Sequence, residues 1–248
     1  MILNKTFHRL ASLGLLVGFA TASFALTTRE DQFTCPIGGE PFKPLMAGSG
    51  TAFGSDLDTR PYGAIESPWP LPVCPGNGFV IFKHDFTPEE LTKLTAIVES
   101  DDYRQRVRTE PPYARAAFLM TVVGAEHRPL AFTLLKATWQ SYGEEQANRY
   151  RAQIIEHLDQ APKDKPEAAL NDQLIAGEME RRMGRFDDAR RRFQSVVIEP
   201  GARAEMLKRI VAYQLRLIAA KDTQSHRVPT TDNPEAESQA PAERRVIH

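Results

Sequence analysis

The sequence predicts a mainly α protein, in which helical hairpins of tetratricopeptide-like type follow a small loop-rich module with short strands. Three observations lead there: residues 31–86 are rich in Gly and Pro, helical apolar spacing begins abruptly at Phe86, and small and aromatic residues alternate at a repeat-like interval from Gly177 to Phe193. In chain order the expected parts are an export leader at 1–25, a Gly/Pro-rich knuckle module at 26–86, a helical repeat-like domain at 87–221 and a disordered tail at 222–248.

The leader rests on Lys5 and Arg9, an uncharged and largely apolar run from Leu10 to Ala20, and small residues at Ala20, Ala22, Ser23 and Ala25. Cleavage after Ala25 is preferred to cleavage after Ala22, because a polar stretch through Asp31 begins there. The run falls short of the ~20 residues a spanning helix needs, and no cysteine sits at the cleavage site to take a lipid. The mature chain is therefore expected to be periplasmic or secreted, with no membrane span.

The chain carries 31 Lys and Arg against 32 Asp and Glu, and two of those cations lie in the leader. Phosphate backbones demand a concentrated basic surface, so nucleic acid is not an expected partner. The one basic cluster, Arg181, Arg182, Arg185, Arg190, Arg191 and Arg192, alternates with Glu178, Glu180, Asp187 and Asp188 and reads as a solvated helical face.

Within the module, Phe79–Phe82 is the clearest strand candidate. So short a segment has too little apolar material for a large core and calls for a metal or a disulfide. Its two cysteines lie in matching turns, Cys35-Pro-Ile-Gly-Gly and Cys74-Pro-Gly-Asn-Gly. A zinc knuckle reads Cys-Pro-x-Cys-Gly, and here Gly38 and Asn77 stand where the second thiolate belongs. Three states remain open: a Cys35–Cys74 disulfide, a zinc site using both cysteines with histidines such as His84, or free, redox-active thiols. An oxidising compartment favours the disulfide, and neither turn has the Cys-x-x-Cys spacing of a redox pair. No other cofactor is expected.

These turns carry a resemblance. Thr34-Cys35-Pro36 with Gly39 and Phe42, then Cys74-Pro75 with Gly78-Phe79, followed by the helical region, resembles an uncharacterised bacterial family that pairs two Cys-Pro-x-Cys-Gly knuckles with tetratricopeptide-like helices. The resemblance covers the chain from about Gln32 to Ala220 and implies four-cysteine zinc in cytoplasmic relatives. For this chain, which keeps Cys35 and Cys74 alone, it implies an exported branch that exchanged metal for a disulfide. It assigns no reaction.

The helical domain opens with Thr87-Pro88-Glu89-Glu90, a hydroxyl cap, a proline at the first helical position and a Glu able to reach back to the cap. Phe86 and Leu91 sit where a hydrophobic staple places them, and Leu94, Ile97 and Val98 continue the apolar face. Further helices are expected over Asp101–Arg108, Pro112–Ala125, Pro129–Tyr142, Glu144–Leu158, Pro166–Met183, Asp187–Ile198 and Ala202–Ala220, separated by prolines and glycines. Gly177, Gly184, Phe186, Ala189 and Phe193 match a repeat in which a small residue admits a neighbouring helix and an aromatic fills the gap; an ordinary helical hairpin is the plainer reading. Pro112–Tyr142 reads as an earlier hairpin enclosing Trp139. Beyond Asp222 the chain is polar and proline-rich, which suggests disorder.

Candidate binding residues come from the loop between the knuckles. Gly48, Gly50 and Gly54 miss the nucleotide spacing G-x-G-x-x-G. Asp56 and Asp58 with Arg60 have the spacing to hold a cation or polar ligand, or simply to cap turns. Trp69, stiffened by Pro68 and Pro70, offers an aromatic platform or covers the core. Catalytic motifs are not found: there is no G-x-S-x-G turn, Glu156-His157 lacks the second histidine of a zinc helix, adjacent His84 and Asp85 face apart on a strand, and His127 sits in an expected turn. The expected function is an exported, non-enzymatic scaffold for a protein or peptide partner in the cell envelope. The alternative is a cell-envelope enzyme or polymer-binding module acting through loop 48–63 with Asp56, Asp58, Arg60 and Trp69.

Overall fold

The computed structural model describes residues 26–230; the leader at 1–25 and residues 231–248 lie outside the described residues. Among the described residues, six short strands precede eight helices: β1 (Thr27–Glu30), β2 (Phe33–Thr34), β3 (Pro41–Phe42), β4 (Leu45–Ser49), β5 (Thr51–Ser55), β6 (Pro61–Ala64), then α1 (Pro88–Val98), α2 (Asp101–Thr109), α3 (Pro112–Val122), α4 (His127–Trp139), α5 (Glu144–Gln160), α6 (Pro166–Arg182), α7 (Phe186–Gln194) and α8 (Ala204–Ala219). The strands form three antiparallel pairs, β1 with β4, β2 with β3, and β5 with β6. The fold is thus mainly α with a small strand module. No helix among the described residues is long and apolar enough to cross a membrane.

Cys35 and Cys74 form a disulfide, with Cα atoms 5.6 Å apart. The sulfurs are therefore bonded to each other rather than to a metal, and His84 is exposed. The two turns close alike. Cys35 N–H donates to the Glu40 carbonyl (2.8 Å) and Gly39 N–H to the Cys35 carbonyl (3.1 Å), while Cys74 N–H donates to Phe79 (2.8 Å) and Gly78 N–H to Cys74 (2.9 Å). Gly39 and Gly78 hold φ of 69° and 72°, a region that favours glycine. Asn77, in the place of a thiolate, donates from Nδ2 to the Ile37 carbonyl (2.9 Å) and accepts from Phe79 N–H (2.9 Å), so it stitches one turn to the other.

Phe79–Phe82 is not a strand. Its backbone closes the second turn, Val80 makes a single bridge to Val73, and Phe79 and Val80 are fully buried. They join Cys35, Ile37 and Cys74 in one apolar cluster with Leu94 and Val98 of α1, Tyr103 of α2, and Ala116 and Leu119 of α3. The module therefore shares its core with the helices. Two polar side chains finish the joint, because the Tyr103 hydroxyl (3.0 Å) and Arg115 Nη1 (2.6 Å) both donate to the Gly78 carbonyl. Burial pushes the Tyr103 hydroxyl up to about 12.

The helix starts follow the sequence closely. Thr87 and Glu90 make both arms of the capping box on α1. Between α6 and α7, a Cβ at Gly177 would lie 2.8 Å from the Phe193 ring, so glycine is what lets these helices touch. Trp139 does not sit wholly inside a hairpin: it packs on the main helical core while its indole N–H reaches Asp58 in the module.

Two expectations fail, the first in part, for one reason. The basic cluster is a solvated face only in part: Arg185, Arg190 and Arg191 are exposed, but Arg181 and Glu178 are 0 % exposed and Arg192 bonds Glu180 and Asp159. The chain is not disordered from Asp222, because residues 222–230 fold back as a strap. Arg181 donates to the carbonyls of Asp222 (2.7 Å) and Gln224 (2.9 Å), Leu57 N–H donates to His226 (2.8 Å), and Val228 N–H donates to Ser55 (2.9 Å). Val228 also packs against Leu57, Tyr213 and Leu217. A buried guanidinium needs acceptors, and backbone carbonyls of a polar segment supply them.

Candidate functional site

A cleft of about 750 Å³ opens where the strand module, the helices and the strap meet. One wall is the β5–β6 hairpin with its connecting turn, the opposite wall is the junction of α4 and α5, and residues 224–227 of the strap close one side. The turn is fixed by Asp56 N–H donating to the Arg60 carbonyl and Thr59 N–H to the Asp56 carbonyl, both at 2.8 Å, with Thr59 at φ 68°.

The cleft brings Asp56, Asp58 and Arg60 together, in line with the loop's spacing, but their roles differ. Asp58 is only 6 % exposed. One of its oxygens accepts Arg60 N–H (3.1 Å) and the other accepts the Trp139 indole N–H (2.9 Å), so this carboxylate joins the turn to α4. Asp56 is half-buried and receives the Ser225 hydroxyl at 3.4 Å. Burial raises its carboxyl above the ordinary range, as does the charge of Asp58, while Arg60 and Arg227 oppose the shift. Arg60 Nη2 donates to the Ser67 carbonyl (3.3 Å), and Arg227 stacks on Tyr62 with its guanidinium 4.0 Å from the ring centre.

Trp69 lies outside the cleft, 41 % exposed, with its carbonyl accepting the Tyr113 hydroxyl (2.8 Å). The cleft's indole is Trp139 instead. The other residues that sequence reading missed are Arg151, Arg182 and Glu144. Arg151, 4 % exposed, donates to Glu144 (2.6 Å) and Asn148 (2.7 Å). That bond holds the Glu144 carboxyl below its usual range against partial burial, and the charges of Arg151 and Arg182 add to it. Arg182 is less well matched: its buried Nε meets no hydrogen-bond partner, and the carboxylate it approaches, Glu178 at 4.0 Å, is already taken by Arg181 and Gln214. The only sequence signal for this wall is the run of Glu and Arg at 178–182, a pattern that by itself suggests an exposed face.

His127 is not an exposed turn residue. It begins α4, and its Nδ1 lies 3.0 Å from Nδ1 of His157 on α5. Burial, then the His127 charge, lowers the His157 imidazole below its ordinary value. Among the described residues no three His, Cys, Asp or Glu side chains are grouped as a metal site.

Compared with known proteins, the chain matches no family model, no curated protein and no solved structure.

Proposed function

We propose that this protein is an exported, non-enzymatic scaffold, periplasmic or secreted, that binds an extended segment of a protein or peptide partner in the cleft beside the β5–β6 hairpin. The carrying observation is that this edge already accepts extended polypeptide: His226–Val228 pairs with Ser55–Leu57 through two backbone hydrogen bonds and an antiparallel bridge, directly beside open space of about 750 Å³. Strand addition of this kind draws affinity from the main chain and specificity from neighbouring pockets. The leader-like N-terminus and the disulfide support export. The matching closure of the two knuckle turns supports membership of an exported branch of the knuckle family, with the bridge and Asn77 in the metal's place.

The alternative of an envelope enzyme or polymer-binding module draws less support. Asp58 spends both oxygens on fixed donors and Trp69 lies away from Asp56, so the paired carboxylates and the aromatic platform do not act as one site. The test is site-specific photo-cross-linking in cells, with the probe at Ser141 in the cleft and, separately, at exposed Arg190 on α7. Partner adducts from position 141 and none from 190 are expected. Adducts from 190 alone, or from neither, would sink the reading.

A further inference from the structure

Arg151 and Arg182 line the same wall of the cleft, one nearly buried and the other with a buried Nε that no acceptor reaches. Burying a guanidinium N–H without a partner costs free energy, and a site that tolerates it is prepared for an acceptor from elsewhere. The carboxylates nearby do not supply one. Glu178 is held by three bonds from Arg181 and one from Gln214, and Asp58 is committed to Trp139 and the Arg60 amide. Glu144 is the exception. Its side chain is 73 % exposed, it is tied through one oxygen to Arg151, and it begins α5 at the mouth of the cleft. An exposed carboxylate held by one bond can give way to another acceptor, provided that the buried Arg151 guanidinium keeps a partner.

We propose that this wall is a carboxylate subsite: an acidic side chain or C-terminus of the bound peptide displaces Glu144 from Arg151 and pairs with the under-matched guanidinium of Arg182. A planar guanidinium suits the two oxygens of a carboxylate, which it grips side-on. Glu144 acts as the resident competitor, occupying Arg151 while the cleft is empty. The subsite rests on the peptide-binding reading and specifies the chemistry of the ligand.

The test uses the full mature chain with its disulfide intact and Trp69→Phe, so that Trp139 alone reports from the cleft wall. Calorimetry and Trp139 emission would follow titration at low salt with acetyl-tetraglutamate amide, acetyl-tetraglutamine amide and inorganic phosphate. Saturable binding of the glutamate peptide at least tenfold tighter than the glutamine peptide is expected, weakened at least tenfold by Arg182→Gln and only partly restored by Arg182→Lys. Glu144→Gln, an exposed and structurally mild change, should tighten binding several-fold by removing the competitor. Equal affinity for the two peptides, or weaker binding in Glu144→Gln, would overturn the proposal; binding of phosphate alone would replace the carboxylate with a phosphate ligand. If acidic peptides fail while Ser141 still cross-links a partner, the subsite falls and the scaffold reading stands. If both fail, both fall.

Discussion

The strand module is held to the helices at two places by different means. At the knuckles the joint is a covalent bond set in apolar packing, with Cys35, Cys74 and Phe79 all at 2 % exposure or less. At the β5–β6 hairpin the apolar part is small, Leu57 with Tyr213, Leu217 and Val228, and the rest is polar contacts: Asp58 to Trp139, and Arg181 to the strap that pairs with Leu57. The first kind of joint has one low-energy arrangement, because close-packed cores do not deform continuously. The second rests more on hydrogen bonds, and those at its exposed edge exchange with water or with a ligand's groups at a net cost of about 1 kcal/mol each. A rigid frame and an adjustable rim therefore sit in one small module, and the open cleft is at the rim.

Four changes would break or sharpen this contrast. Removing the disulfide, by reduction or by Cys35→Ser with Cys74→Ser, should cost about 4 kcal/mol by the chain-entropy relation for its 39-residue separation. Urea unfolding should show that loss as a lower midpoint, with the strap released in the same transition because both joints share the module. Arg181→Met should cost about 3 kcal/mol, since it leaves the fully buried Glu178 with Gln214 as its remaining hydrogen-bond partner. Its signature is local: amide exchange at Leu57 and Val228 should accelerate far more than at Cys35 and Cys74. Gly177→Ala, away from both joints, should cost about 1–2 kcal/mol by driving a methyl group into the Phe193 ring. It should leave the emission of Trp139 unchanged.

The smallest effect concerns pH. Asp56 has a folded pKa raised above its unfolded value, so the folded state holds the proton more readily and stability falls as pH rises through that window. Asp56→Asn should flatten stability between the ordinary carboxylate range and the raised value, as read from thermal melts at a series of pH values. A slope unchanged by the substitution would mean that another group titrates there.

How much of this was legible in the sequence depended on the range of the interaction. The capping box at Thr87 and Glu90 is local, and so is the glycine that admits Phe193; both were readable and both hold. The disulfide was readable because two cysteines and a leader-like start constrain each other. Arg181 was not, because an i, i+3 pair of Glu and Arg looks the same on a wet face as in a core until the helices covering it are placed. The strap was hidden similarly: its polar residues carry no apolar period, and its order comes from carbonyls that accept hydrogen bonds from a guanidinium about forty positions earlier. Of the two indoles, the choice of Trp139 over Trp69 for the cleft rests on a contact spanning 81 positions, which no local pattern encodes.

The most direct measurement is hydrogen exchange of the oxidised protein with and without the partner segment that Ser141 captures. Slower exchange over 56–62 and 224–228, with the amides of Cys35 and Cys74 unchanged, is the result that a rigid frame and a ligand-filled rim predict. Protection confined to α7 and α8, or altered exchange at the knuckles with none at the rim, would contradict it.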